Sequence, residues 1–139
     1  MNILSIGEVL WDVFGETEHL GGAALNFSAH ARILGHSVSL ISAVGDDPRG
    51  RRVLEKMQGM GLPTRFVSQI KDHPTGIVTV TLDASGQPRF TIHRPAAYDF
   101  PGPFGWGPER ALCVPAGLDL LRNPFSDEPR RQGRNPEGD

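Results

Sequence analysis

A layered α/β fold with a parallel sheet is what this 139-residue sequence predicts, and three observations predict it. Two short runs, Ile3-Leu4-Ser5-Ile6 and Val38 to Val44, are apolar or small at nearly every position, the pattern of strands covered on both faces. Each run leads into a stretch with helical spacing that closes on a glycine. The joints are short, and strand-helix-strand-helix order with short joints is the grammar of a sheet layered by helices with right-handed crossovers.

The first strand ends at Gly7 and is expected to run into a loop carrying Glu8, Trp11 and Asp12. From Gly21-Gly22 a glycine-rich entrance opens a helix, with Phe27, Ala31 and Leu34 at helical spacing and Gly35 as its stop. Val38 to Val44 is the second buried strand. Gly45-Asp46-Asp47-Pro48 then offers an acid as N-cap with proline at the first helical position, and Val53, Met57 and Met60 mark one face of a second helix before Gly61.

The pattern then changes. Val78, Val80 and Leu82 alternate with Ile77, Thr79 and Thr81, Asp83 to Pro88 turns the chain, and Arg89 to Arg94 returns with Phe90 and Ile92. This is an antiparallel hairpin over about 75–94, either an edge extension of the main sheet or a separate flap over a cleft. Beyond Phe100 the seven Pro and six Gly of residues 101–139 leave no sustained period, so the expected division is a folded part over 1–100 and a largely unstructured tail over 101–139. The abruptness of the change near Phe100 also fits a coding sequence that leaves its original frame there.

Charge and motifs exclude several functions. A net charge of −2 offers no basic field for nucleic acid or an anionic membrane. No apolar run reaches spanning length and the start, with Glu8 close to the N-terminus, lacks a basic leader, which reads as cytoplasmic. Cys113 stands alone with no activating base nearby. There is no P-loop, no Gly-x-Gly-x-x-Gly fingerprint and no nucleophile elbow, and the histidines lack metal-ligand spacing, so no metal site is expected.

A polar group at the strand ends remains. Asp12, the Gly21-Gly22 bend and Asn26 can converge where open α/β sheets bind ligands. A carboxylate accepts hydrogen bonds from neighbouring hydroxyls, a carboxamide both donates and accepts, and paired glycines let a ligand approach the backbone, which together suit a polyol. The alternative is that Asp12 and Asn26 cap local turns while the glycines only bend the chain.

The run Gly21-Gly22-Ala23-Ala24-Leu25-Asn26-Phe27-Ser28, followed by Gly35 and by Gly45-Asp46-Asp47-Pro48 with Gly50, resembles the N-terminal signature of ribokinase-type carbohydrate kinases, the PfkB family. Ile6-Gly7-Glu8 with Asp12, Thr75-Gly76, and Leu82-Asp83 with Gly86 extend the resemblance over residues 1 to about 100. Trp11-Asp12, Phe27 and Arg94 to Asp99 are most similar to the fructokinase-like branch. The resemblance implies a helix-covered Rossmann-type sheet with a β-hairpin lid over the sugar, and transfer of the ATP γ-phosphoryl group to a sugar hydroxyl. Asp12, Gly21, Gly22 and Asn26 match the family's sugar-contacting motif. For Asp46 and Asp47, bracing the turn and capping the second helix are favoured over direct catalysis.

The family's catalytic aspartate lies in a Gly-Ala-Gly-Asp type motif within the half that also binds ATP and Mg²⁺, and no Gly-x-Gly-Asp occurs here. Gly138-Asp139 has no following helix to supply amides. The expectation is a truncated sugar-recognition half with no catalytic residue, binding neither ATP nor Mg²⁺ alone and inactive alone. Two alternatives stand beside it: a non-catalytic sugar-binding module, or a fragment that needs a partner chain. An open sheet edge predicts self-association, and a homodimer through the lid or that edge is compatible with the sequence.

Overall fold

The computed structural model describes residues 1–102 and 119–122. In chain order it contains β1 (Asn2–Ile6), β2 (Leu10–Phe14), β3 (Thr17–Gly21), α1 (Ala23–Ile33), β4 (Ser37–Gly45), α2 (Pro48–Gly59), β5 (Val67–Ile70), β6 (Gly76–Leu82), β7 (Pro88–Ile92), a 3₁₀ turn (Ala97–Asp99) and β8 (Asp119–Arg122). These strands form two four-stranded sheets.

The main sheet has the order β5-β4-β1-β8 and is parallel throughout. Its strands alternate between two apolar layers. Ile3, Val38, Leu40 and Val44 pack with Ala24, Leu25, Ala31, Val53 and Met57 of the two helices, while Leu4, Ile6 and Ile41 form a smaller cluster with Phe66. Burial on both faces is the reason the β1 and β4 runs read as continuous apolar text.

The second sheet, β3-β2-β6-β7, joins two antiparallel hairpins through a parallel β2/β6 pair. The hairpin expected at about 75–94 is present as β6 and β7, closed by Asp83, whose Oδ1 accepts the N–H groups of Ser85 and Gln87. It is part of this second sheet and not an extension of the main one. Residues 10–14 are strand β2, where a loop was expected, and β3 was not anticipated. Trp11 of β2 is buried in the main core, so the second sheet is rooted there.

Two further expectations are corrected. The buried face of α1 consists of Ala24, Leu25, Ser28 and Ala31, whereas Phe27 is 41% exposed and Leu34 74% exposed. Small residues let the helix lie close to the sheet, as the Ser5 hydroxyl reaching the Ala24 carbonyl at 3.3 Å shows. Similarly, α2 buries Val53 and Met57 but leaves Met60 39% exposed. Within the tail read as largely unstructured, residues 119–122 form β8, with Leu120 opposite Leu4 in parallel register. The other tail residues beyond Gly102, and Cys113 with them, lie outside the described residues.

Candidate functional site

Glycine fixes the geometry where β3 passes into α1. Gly22 stands at the N-cap position with φ +111°, a conformation that favours glycine, and a Cβ there would collide with the Glu8 carbonyl. Because Gly22 has no side chain to cap the helix, the cap comes from elsewhere: Glu8 Oε1 accepts the Ala23 N–H at 3.1 Å. The sequence hint was a glycine N-cap, which needs an outside acceptor, with Glu8 in the loop after β1.

Asp12 lies in the middle of β2, opposite His19 of β3. Its carboxylate reaches the bend: a Cβ built on Gly21 would lie 2.5 Å from Asp12 Oδ2. Partial burial raises the Asp12 pKa above its ordinary value, and His19 opposes that shift. Asn26 follows one turn into α1, where its N–H donates to the Gly22 carbonyl at 2.9 Å and its own carbonyl is 2.7 Å from His30 Nδ1. Its side chain is exposed. Asp12 thus lies against Gly21, and Asn26 is joined to Gly22 through the backbone bond of the first helical turn.

A second knot lies beside it. Asp47 caps α2 by accepting the Gly50 N–H at 2.7 Å, and also accepts the N–H and the hydroxyl of Thr75, each at 2.8 Å. Thr75 is buried and its hydroxyl accepts the Gly45 N–H at 2.9 Å. Burial pushes the Asp47 pKa up, but the bonds from Thr75 and Gly50 and the charge of Arg49 outweigh it and hold the carboxyl below its ordinary value. Asp46 donates its backbone N–H to Ile70 and stands 4.0 Å from Arg51, which is a turn brace. The two motif pieces 45–50 and 75–76 therefore meet in one hydrogen-bonded unit.

The fit to ATP and Mg²⁺ can be tested on these helix ends. A helix N-terminus holds phosphate when its amides are open. Here Glu8 occupies the start of α1 and Asp47 the start of α2, so neither offers an open amide cradle. Among the described residues no group of three or more His, Cys, Asp or Glu stands together to hold a metal ion. No helix among the described residues is long and apolar enough to cross a membrane.

Residues 4–103 match the model of the pfkB family of carbohydrate kinases, and the chain belongs to that family. It is 31% identical over 107 residues to a ribokinase of Dictyostelium discoideum, covering 66% of this chain and 34% of that protein. Similarity to a sugar kinase of Pyrococcus horikoshii reaches 35% over 107 residues, 69% of this chain and 34% of that protein. That kinase's solved structure superposes with a TM-score of 0.63, and it has also been solved in complex with ATP. Fructokinase from Halothermothrix orenii superposes with a TM-score of 0.63 at 28% identity, over 70% of this chain and 39% of that one. The chain spans about a third of the length of the curated relatives it matches. The architecture is the ribokinase-like layered sheet with a second β sheet beside it, and the family's members act on sugars as kinases.

Proposed function

We propose that this chain carries the sugar-recognition part of a fructokinase-like carbohydrate kinase, an enzyme class that transfers the γ-phosphoryl group of ATP to a sugar hydroxyl. Asp12 accepts hydrogen bonds from adjacent sugar hydroxyls, Gly21 and Gly22 form the bend beside it by leaving room for the Asp12 carboxylate and the Glu8 carbonyl, and Asn26 adds a carboxamide. The β2, β3, β6 and β7 sheet is the lid. The observation that carries this reading is the Asp12 carboxylate lying against the Cα of Gly21, where a Cβ would be only 2.5 Å from Oδ2.

The 139 residues contain no Gly-x-Gly-Asp, and their two described helix starts are filled by Glu8 and Asp47. We therefore read them as competent to bind sugar but not to turn over ATP by themselves, with residues 1–100 as the kinase portion and 101–139 as a distinct tail that contributes β8. Leu82, Phe90 and Ile92 share one lid face and are 73%, 60% and 56% exposed, which supports self-association through the lid. A cytoplasmic, soluble setting suits a sugar substrate.

Calorimetric titration of the full chain with fructose and ribose tests the reading. We expect saturable binding of at least one of them, weakened about tenfold or more in both Asp12→Ala and Gly21→Ala, since each removes or displaces a charge-assisted hydrogen bond. No binding by the unaltered chain, or equal binding by the variants, overturns it. Phosphorylation of sugar by the purified chain with ATP and Mg²⁺ overturns the inactive-alone part.

A further inference from the structure

The lid has a tie to the main body that the sugar motif does not use. On β3, Glu18 faces away from the Asp12 side of the sheet, because it is the neighbour of His19, which pairs with Asp12. Its carboxylate divides between two arginines of α2. Oε1 accepts Arg49 Nε at 2.9 Å and Nη2 at 2.5 Å, and Oε2 accepts Arg52 Nη1 at 2.7 Å. These bonds hold the Glu18 carboxyl below its ordinary pKa, Arg49 contributing more than Arg52.

The same two arginines hold Trp11, the residue before Asp12. The Trp11 indole N–H donates to the Arg49 carbonyl at 3.3 Å, and the Arg52 guanidinium stands 4.3 Å from the ring centroid. Beside this network lies a cavity of about 470 Å³ whose walls include Glu18, Arg49, Arg52, Ile77 and His93. Trp11, Val13, Leu20 and Ile77 pack this face of the second sheet into the core. At the rim, where the cavity opens, a carboxylate bridging two guanidiniums adds several charge-assisted bonds with defined geometry.

We propose that Glu18 is a positioning residue: by bridging Arg49 and Arg52 it pins β3 to α2 at the rim of this cavity and so holds Asp12 at the Gly21 bend. It acts through the β2/β3 ladder and Trp11 and does not touch the sugar. This rests on the reading of Asp12 as the sugar-binding carboxylate.

The test uses the full chain and compares Glu18→Ala with a variant that moves the carboxylate to the other side of the same triad, Glu18→Arg with Arg49→Glu. Two readouts are taken: amide hydrogen exchange at residues 10–21 with β4 as internal reference, and fructose and ribose affinity. We expect Glu18→Ala to speed exchange at residues 10–21 about tenfold while β4 is unchanged, to shift the Trp11 emission, and to weaken sugar binding several-fold. The relocated carboxylate restores most of each. Unchanged exchange at residues 10–21, an equal rise in β4, or no recovery on relocation overturns the proposal. If the unaltered chain binds neither sugar, the sugar reading fails, while the exchange comparison still decides whether Glu18 pins the strand that bears Asp12.

Discussion

Strands β4 and β7 represent the two sheets and differ in how they are held. β4 packs against the helices on one face, and on the other its Ile41 clusters with Leu4, Ile6 and Phe66; six of its nine residues in succession are buried, from Leu40 to Gly45. Every residue of β7 is exposed. It is held by its ladder to β6, and its apolar Phe90 and Ile92 find no cover among the described residues. The main sheet is thus fixed by burial, and the second sheet by Trp11 and by the Leu10, Val78, Val80, Ala96 and Tyr98 cluster, while its outer strand β7 relies on hydrogen bonds to β6. Strands held by burial resist local opening more than a strand held by its ladder alone.

Substitutions in the two strands should separate sharply. Leu40→Ala, at a fully buried β4 position, should cost about 3 kcal/mol or more in urea unfolding through the cavity it leaves, whereas Phe90→Ala should stay within about 0.5 kcal/mol. Equal costs would break the contrast between the sheets.

The junction between them comes next. Asp47→Ala removes the α2 cap together with both bonds to Thr75 and should cost about 2 kcal/mol. Since the folded state holds the Asp47 carboxyl below its ordinary value, its contribution is complete above the ordinary carboxylate range and is lost as pH falls through that range and below the folded value. Unfolding followed between pH 7 and acid, spanning about 4 where free carboxyls titrate, should therefore show a shallower acid decline in the variant than in the unaltered chain.

The smallest effect runs the other way. The Ser42 hydroxyl is buried in β4 with no hydrogen-bond partner among the described residues. Ser42→Ala should raise stability by about 1 kcal/mol, and a loss of stability would show that the hydroxyl has a partner in solution.

The same contrast explains which elements could be read from the sequence. β1, β4 and the α2 cap were legible because burial on both faces leaves a continuous apolar run and because Asp47-Pro48 is a local signal. β2 and β3 were not, since Leu-Trp-Asp-Val-Phe carries an acid at its centre and Thr-Glu-His-Leu-Gly is mostly polar. Their ladder depends on tertiary contacts of Trp11 and Glu18. The one local clue was Gly15-Glu16, two turn residues between the strands with Gly15 at φ +58°. The buried face of α1 does not follow its large apolar residues, because Ala24, Ser28 and Ala31 form a tighter contact with the sheet. β5 and β8, each four residues long, are too short for a period to show. In the site, Asp12, Gly21, Gly22 and Asn26 were nominated by motif, but the part played by Glu8 became visible only once the strands were in place.

The pairing of β1 with β8 has a consequence for synthesis. Ile3 lies in register with Asp119, so one flank of β1 waits during synthesis for a partner translated more than a hundred codons later. Contacts this distant in the chain form late and slow the search for the native state. Throughout that interval the nascent polypeptide shows an open backbone edge to its surroundings, and how quickly elongation delivers residues 119–122 governs how long that edge stays available to wrong partners.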